Sequence, residues 1–356
     1  AVVLLLLGDS SSFLEKNFGV ENESPKIAVL GAGVVGSTVA KILQEQVRNV
    51  DITIIADNFR EETVSAVAAG IFRPSTSFRG ATAEITKRWI NNSWYFWQDI
   101  LKSSESAQAG VISFGTYIFS KENYHNTRNH LIEDLVPIYR AVDENELKIC
   151  GEGWKYGSYF NTVKIGCDNY LPWVERSFVA NGGKVVQKYI NSFSSLPEYD
   201  LVFNCTGLGA KYLCNDHDLV PIRGQIFKVK APWLKTAFYG DYDTYIIPGH
   251  DGVATLGGVR QYNSYNRDVC KYDAAAIMER CVQLLPALKN AEVVAQKVGL
   301  RPHRVPVRVE GEIIDRVKVV HCYGHGGYGV TCAPGTAIDA VNIGLDLLRS
   351  NSKSKL

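Results

Sequence analysis

The stretch Lys26-Ile27-Ala28-Val29-Leu30-Gly31-Ala32-Gly33-Val34-Val35-Gly36 decides the fold of this chain. Its first five residues predict a short buried strand, and its last six form a G-x-G-x-x-G turn that leads into a helix over 38–46. A second apolar run at 51–56 predicts the next strand, which ends just before Asp57. A strand, glycine turn, helix and strand in this order predict the start of a parallel α/β sheet.

The glycines of this turn suit the binding of a dinucleotide. Gly31 allows a tight turn, Gly33 lets the backbone approach a pyrophosphate, and Gly36 allows the helix to pack closely on the strand. The N-terminus of the helix offers N–H groups and a partial positive charge to phosphates, and Asp57 can accept hydrogen bonds from ribose hydroxyls. The turn by itself does not distinguish FAD from NAD. The residues predicted to bind the dinucleotide here are Gly31, Gly33, Val34, Val35, Gly36 and Asp57.

The composition is that of an ordinary globular protein. The chain has 356 residues, of which 46% are hydrophobic and 21% charged, and its formal net charge is +1. This length suits one or two packed domains. No basic run indicates a nucleic-acid or membrane-surface partner, so we expect neither. The eight cysteines form no C-x-x-C pair, and His321, Cys322 and His325 are too few for a zinc site, so we predict reduced, mostly buried thiols and no metal.

The two termini indicate different destinations. Ser354-Lys355-Leu356 is a tripeptide that the peroxisomal import receptor reads, and it predicts a peroxisomal protein. The apolar residues 1–7 leave open the alternative of a secreted protein, if they belong to a signal peptide. We treat 1–25 as a leader or disordered segment.

Beyond Asp57 the apolar patterns predict further helices and strands. No repeat or low-complexity linker separates them, so two domains are expected to be interleaved rather than in series. The predicted helices are 82–105, 169–181, 274–285 and a last helix ending at 349. The predicted strands are 109–121, 184–189, 199–204, long antiparallel strands within 225–260 that turn at 248–252, and 317–323.

Further motifs stand in a fixed order along the chain: Ala66-Val67-Ala68-Ala69-Gly70, Asn204-Cys205-Thr206-Gly207, Arg223-Gly224-Gln225 with Ala231-Pro232-Trp233, Tyr245-Ile246-Ile247-Pro248-Gly249 with Thr255-Leu256-Gly257-Gly258, Gly299-Leu300-Arg301-Pro302, and Tyr323-Gly324-His325-Gly326-Gly327-Tyr328-Gly329. With the glycine turn, they resemble the family of D-amino-acid oxidase and D-aspartate oxidase over nearly all of 26–348. The number and order of these motifs make a chance similarity implausible.

The resemblance implies an α/β fold with a Rossmann-like FAD-binding domain and a substrate domain built on a large mixed β-sheet. The implied FAD-binding domain is discontinuous and comprises 26–75, 155–215 and 299–350, and the substrate-binding domain comprises 76–154 and 216–298. Dimerisation is common in the family, although the sequence itself gives no sign of a homodimer. FAD is the implied cofactor, and its implied contacts beyond the glycine turn are Thr63, Ser65, Ala69, Gly70, Val185, Cys205, Thr206, Gly207, Gly326, Gly329 and Thr331.

The resemblance also places the substrate, a D-amino acid. Arg301 matches the family's carboxylate-binding arginine, and a guanidinium is the group best suited to a buried carboxylate. Tyr245 matches the tyrosine whose hydroxyl contacts the same carboxylate, and Gly327 matches the glycine whose carbonyl accepts from the amine. In the family a hydride passes from Cα to flavin N5, and dioxygen reoxidises the flavin to give hydrogen peroxide. The imino acid hydrolyses to a 2-oxo acid and ammonia.

Only a few residues indicate whether the substrate is an acidic or a neutral D-amino acid. Arg260 stands where aspartate oxidases of the family carry arginine, and it would pair with a second carboxylate if a bulge at 257–258 turned it to the face of Tyr245. Pairing about residue 250 places 255 opposite Tyr245. Arg73, where the family has glutamine or a small residue, is an alternative partner. Against an acidic substrate, the loop around His325 resembles the neutral branch, and the implied lid at 234–244 offers only Lys235 as a basic residue.

Three functions therefore stay open at this point. The first is oxidation of D-aspartate and D-glutamate, and the second is oxidation of neutral D-amino acids. The third is a NAD(P)-binding protein or a relative without catalytic activity.

Overall fold

The computed structural model describes residues 24–249 and 251–350. The leader predicted for 1–25, apart from its last two residues, and the import address at Ser354-Lys355-Leu356 lie outside the described residues and stay predictions. The described helices are α1 (Val34–Gln46), α2 (Ala83–Lys102), α3 (Cys167–Ala180), the single turn α4 (Ala210–Leu213), α5 (Lys271–Leu284) and α6 (Gly329–Ser350).

The strands join into one mixed sheet of 14 strands in the described chain. The predicted fold class, an α/β protein with a large mixed sheet, is confirmed. In chain order they are β1 (Lys26–Leu30), β2 (Asp51–Ala56), β3 (Val111–Ser120), β4 (Tyr139–Ala141), β5 (Tyr156–Ile165), β6 (Lys184–Gln187), β7 (Leu201–Asn204), β8 (Val220–Lys230), β9 (Ala237–Tyr239), β10 (Tyr245–Ile247), β11 (Val253–Gly257), β12 (Gln261–Tyr262), β13 (Val293–Ile314) and β14 (Val317–His325).

The parallel part of the sheet is the unit that the glycine turn predicts. Strand β1 lies between β2 and β7 and pairs in parallel with both, while β6 extends β2 and β14 extends β7. Helices α1 and α6 cover it, and Val39 and Leu43 of α1 and Val341 of α6 are buried in one cluster with Phe203 of β7. Apolar groups on adjacent strands and on two helices are thus removed from water together, which is the main source of stability for such a layer.

The rest of the sheet runs from β4 to β8 in the order β4-β5-β3-β9-β10-β11-β8. Its neighbouring strands are antiparallel except β3 and β9, which pair in parallel. Most predicted elements are found within a few residues of their expected bounds. The prediction of long strands within 225–260 was wrong, because the chain there forms the end of β8 followed by three short strands, β9, β10 and β11.

The hairpin and the strand after it differ from the prediction. The 22-residue strand β13 was not predicted, and it joins β8 to β14. In the hairpin, Gly257 rather than residue 255 lies opposite Tyr245. The pairs are centred on residue 251, where the Asp251 carboxylate accepts a hydrogen bond from the N–H of Val253 (3.0 Å) and shapes the turn.

Strand β13 runs without interruption through the boundary expected between residues 298 and 299. The division into two discontinuous domains therefore stays a prediction. None of the described helices is long and apolar enough to cross a membrane.

Candidate active site

At the glycine turn, backbone segments approach each other more closely than any side chain would allow. Gly31 has a φ of +101°, and a Cβ placed on it would lie 2.5 Å from the carbonyl oxygen of Cys205. A Cβ on Gly36 would lie 1.9 Å from the carbonyl oxygen of Gly31. The turn is therefore pressed between the end of β7 and the first turn of α1, and Gly36 has the helix-packing role predicted for it.

A cavity of about 1170 Å³ extends from this turn across the sheet. It is larger than the roughly 300–1,000 Å³ typical of drug-sized ligands, which suits a dinucleotide together with a small substrate. Gly36 lies behind the turn and Val185 lies in edge strand β6, so these two predicted residues do not line the cavity, although residues 188–190 after β6 do. The predicted residues that line it are Gly31, Gly33, Val34, Val35, Asp57, Thr63, Ser65, Ala69, Gly70, Cys205, Thr206, Gly207, Tyr245, Arg260, Arg301, Gly326, Gly327, Gly329 and Thr331.

Two helices begin at the wall of this cavity. Helix α1 starts at Val34, whose N–H donates to the Ser65 hydroxyl (3.0 Å), and helix α6 starts at Gly329. Neither helix has an acidic side chain in its first turn. Both helix ends therefore leave their partial positive charge available to an anionic ligand.

The guanidinium of Arg301 occupies the space that a side chain on Gly224 of the neighbouring strand would fill. Arg301 lies in β13, and a Cβ placed on Gly224 of the neighbouring β8 would lie 2.4 Å from the guanidinium nitrogens. A Cβ on Gly327 would lie 3.4 Å from Cδ of Arg301. The guanidinium thus lies over a glycine, donates to the carbonyl of Val259 (3.2 Å), and keeps other N–H groups available for a ligand. The role of Gly224 was not predicted, although its place within the Arg223-Gly224-Gln225 motif marks it.

Tyr245 lies beside Arg301, and its ring packs on a second pair of glycines. A Cβ on Gly257 or Gly258 would lie 2.1 Å or 2.8 Å from atoms of the Tyr245 ring, so the ring lies on this bare stretch of backbone. Burial raises the pKa of the Tyr245 hydroxyl, while the charge and hydrogen bond of Arg301 act in the opposite direction. The hydroxyl therefore stays protonated near neutral pH and can donate beside Arg301.

Comparison with known proteins decides the family. The family model described as FAD dependent oxidoreductase matches residues 26–342. The chain belongs to the FAD-dependent oxidoreductase family. It is 36% identical to a D-aspartate oxidase of Homo sapiens over 90% of this chain and 95% of that protein. It is 33% identical to a D-amino acid oxidase of Dugesia ryukyuensis over 90% of this chain and 98% of that protein.

The fold of this oxidoreductase is shared with more distant solved structures. Glycine oxidase from Geobacillus kaustophilus superposes with a TM-score of 0.75 at 16% identity, over 92% of this chain and 95% of that one. At this identity the likeness concerns the fold alone. The predicted cofactor, FAD, is confirmed by the family. The glycine turn, the two free helix ends and the volume of the cavity fit a dinucleotide.

Several hydroxyls predicted to contact FAD are fixed by bonds to the protein. Thr331 donates to the carbonyl of Ile71 (3.1 Å), Thr63 donates to the carbonyl of Arg60 (2.6 Å), and Thr206 donates to the side chain of Asn204 (2.7 Å). Each hydroxyl oxygen keeps lone pairs free to accept a further hydrogen bond. Their contacts to FAD stay predictions.

Arg260 lies at the rim of the cavity with an acidic partner of its own. Its Nη2 is 2.8 Å from the Asp243 carboxylate, and 44% of its side chain is exposed. From Gly257 to Gln261 the chain takes four steps, while the paired residues of β8 take three, from Ile226 to Arg223. The chain thus has one residue more than β8 in the interval where the predicted role of Arg260 requires a bulge, and that role stays a prediction. The ion pair with Asp243 was not predicted.

Tyr239 was missed in the sequence. It lies directly opposite Tyr245 in the β9–β10 pair, with ring centroids 5.9 Å apart, and the guanidinium carbon of Arg73 is 4.5 Å from its ring centroid. The signal was available, since Ala237-Phe238-Tyr239 is a short apolar run within the implied lid at 234–244. Arg73 and Arg301 are thus connected through two tyrosine rings that contact each other at an interplanar angle of 39°.

The histidines that flank Cys322 bind protein groups. His321 contacts the side chains of Asn204 and Glu312, and His325 contacts the hydroxyl of Thr336. No group of three or more metal-ligating side chains occurs in the part of the chain that the structure describes.

Replacing Tyr245 with phenylalanine is expected to raise KM for the amino acid about tenfold or more, with a smaller change in kcat. The reason is the loss of one hydrogen bond to a charged group, which contributes roughly 1.5–3 kcal/mol, at an atom that does not change during the reaction. Steady-state peroxide release measures both constants, and the flavin content checks the fold. An unchanged KM would remove Tyr245 from the carboxylate site.

Proposed function

We propose that this oxidoreductase catalyses the oxidative deamination of acidic D-amino acids, D-aspartate and D-glutamate, to a 2-oxo acid, ammonia and hydrogen peroxide. The observation that carries the proposal is the Arg301 guanidinium beside the Tyr245 hydroxyl and the Gly327 backbone, in a cavity continuous with the glycine turn. Similarity to D-aspartate oxidase and D-amino acid oxidase over nine-tenths of the chain supports the same reaction.

The α-carboxylate is held by two donors in this proposal. Arg301 offers a planar pair of N–H groups, and Tyr245 adds its hydroxyl beside them. Gly224 and the Gly257–Gly258 pair give these side chains the room they occupy. Because both donors lie on strands of one sheet, the carboxylate has a fixed position relative to the cofactor end of the cavity.

The amine end of the substrate points to the backbone of Gly327. Its carbonyl accepts from the amine, which orients the Cα–H bond. When bound, FAD supplies the two-electron acceptor that takes the hydrogen of this bond, and dioxygen then takes the electrons to form peroxide. The N–H groups at the start of α6 stabilise negative charge that develops at that end of the cavity. Water hydrolyses the resulting imine to the 2-oxo acid and ammonia.

The preference for acidic substrates is supported by charge. Arginines 73, 260, 267 and 301 line the cavity, whereas a neutral D-amino acid has one carboxylate to pair with them. A desolvated guanidinium left against an apolar side chain opposes the binding of a neutral substrate. The similarity to a D-aspartate oxidase supports the same preference.

Oxidation of neutral D-amino acids is the second candidate. It is favoured by the similarity to the D-amino acid oxidase of Dugesia ryukyuensis and by the ion pair of Arg260 with Asp243, which reduces the charge that Arg260 offers.

Peroxide release with D-aspartate, D-glutamate, D-alanine and D-proline tests the proposal. We expect kcat/KM to be at least tenfold higher for the two acidic substrates, since one charge-assisted contact contributes about 1.5–3 kcal/mol. Faster turnover of D-alanine or D-proline would establish the neutral function instead. A flavin-loaded protein inactive on all four would contradict the reaction itself. The L-enantiomers are the matched control for the pocket's handedness.

A further inference from the structure

Arg73 is the cavity arginine that has a buried donor without a partner. Its Nε is fully buried and has no hydrogen-bond partner. Within residues 24–249 and 251–350, no carboxylate pairs with it. A buried donor attached to a full charge is costly to leave unmatched, so its persistence in a ligand cavity indicates that a ligand supplies the missing acceptor.

The surroundings of Arg73 hold it toward the substrate end of the cavity. Its guanidinium lies over the ring of Tyr239, with 4.5 Å from the guanidinium carbon to the ring centroid. That ring contacts Tyr245, whose hydroxyl faces Arg301. Burial raises the hydroxyl pKa values of Tyr139 and Tyr239, and the positive charge of Arg73 opposes this rise. Arg73 and Arg301 therefore lie at the two ends of a row of tyrosine rings.

The acidic side chains at this end of the cavity are already engaged. Asp243 pairs with Arg260. Asp241 accepts from the Ser120 hydroxyl (2.7 Å) and from the N–H of Lys121 (2.8 Å). Neither carboxylate is therefore available to Arg73, and the Arg260 charge is offset at the rim, where water also screens it.

We propose that Arg73 is the residue that binds the side-chain carboxylate of the acidic substrate, at the other end of the tyrosine row from the α-carboxylate site, and that Arg260 has the smaller share in this selectivity. The inference rests on the proposed function. It names the residue that determines specificity, and it assigns Tyr239 the task of positioning the Arg73 guanidinium.

The test compares FAD-loaded wild type with Arg73→Gln. In the variant we expect kcat/KM for D-aspartate to fall about 100-fold, mainly through KM, and kcat/KM for D-alanine to stay the same or rise. Flavin absorbance titrations with succinate and with butyrate, which has one carboxylate fewer, measure binding without turnover. Succinate is expected to lose its advantage over butyrate in the variant.

Three matched variants make the result specific. Arg79→Gln removes the same charge from the same segment, on an exposed side chain outside the cavity, and should keep the succinate preference. Arg73→Lys keeps the charge without the planar fork and should restore part of the preference. Arg260→Gln tests whether Arg260 binds the side-chain carboxylate instead. The proposal would be overturned if Arg260→Gln lost the preference for succinate while Arg73→Gln kept it.

Other outcomes separate the inference from the proposed function. If wild type prefers D-alanine to D-aspartate, the acidic function fails and the role of Arg73 fails with it. If wild type prefers D-aspartate and Arg73→Gln keeps that preference, only the role of Arg73 fails. Equal losses for D-aspartate, D-alanine and FAD content in both Arg73 variants would assign Arg73 to the cofactor and overturn its role toward the substrate.

Discussion

Arg301→Ala is expected to lower kcat/KM for D-amino acids roughly 1,000-fold or more while the protein keeps its FAD. The side chain lies between Gly224 and Gly327, so no neighbouring group can take its place beside Tyr245. Removing one partner of a desolvated charge pair typically costs about 2–5 kcal/mol, and a substrate carboxylate would be left without a partner. Peroxide release at several substrate concentrations, with flavin absorbance as the measure of loading, gives the result.

Arg301→Lys is the matched control for this prediction. Lysine keeps the charge but offers a single rotatable ammonium in place of the planar guanidinium, so it should recover part of the activity. Because Arg301 donates to Val259 within the protein, a stability measurement is needed alongside the kinetics. Loss of less than tenfold in Arg301→Ala, with normal FAD content, would place the α-carboxylate elsewhere in the cavity.

Strand β13, which carries Arg301, could not be predicted from the sequence. Pro302 and Pro306 interrupt the apolar pattern of 293–314, and proline inside a run argues against a strand because it lacks an N–H. In the structure Pro302 still pairs opposite Pro221, and the long strand bridges β8 and β14. The partner strands supply the regularity that the local sequence lacks, so β13 was not predictable from its own residues.

The glycine turn shows the opposite case. Its prediction needed only local information, because a strand, three spaced glycines and an apolar helix lie within one short stretch. The structure placed Gly31, Gly33 and the start of α1 at one cavity. The same holds for the motifs at 204–207 and 323–329, whose backbones lie at the ends of β7 and β14.

Contacts between side chains that are far apart in the sequence determine the arrangement of charges at the substrate end of the site. The sequence drew attention to Arg260 and Arg73, but the ion pair to Asp243 and the contact of Arg73 with Tyr239 depend on how β9, β10 and the following turn are arranged. A shift of two residues in the expected hairpin register was enough to misplace the residue opposite Tyr245. Which charged side chains of the pocket pair with each other could therefore be seen only in the structure.

Gly31→Ala is expected to remove FAD binding and to lower the free energy of unfolding by roughly 3 kcal/mol or more. The added Cβ would meet the carbonyl oxygen of Cys205 at 2.5 Å, at a φ of +101° that side chains rarely adopt. Strained backbone and overpacking each cost about 1–3 kcal/mol. The Cys205 carbonyl cannot easily move, since the N–H of Cys205 donates to Leu30 in the sheet (2.9 Å). Thermal unfolding and flavin content of the purified protein measure the two effects.

Gly33→Ala separates binding from folding at the same turn. A Cβ on Gly33 would meet only the Ser65 hydroxyl at 3.2 Å, which is a side chain able to rotate. We therefore expect unfolding of the FAD-free protein to change by less than about 1 kcal/mol, while FAD affinity falls at least tenfold, because the backbone can no longer approach the pyrophosphate. If Gly33→Ala bound FAD as tightly as wild type, the phosphates would not lie against this turn, and the free start of α6 would be the next place to look for them.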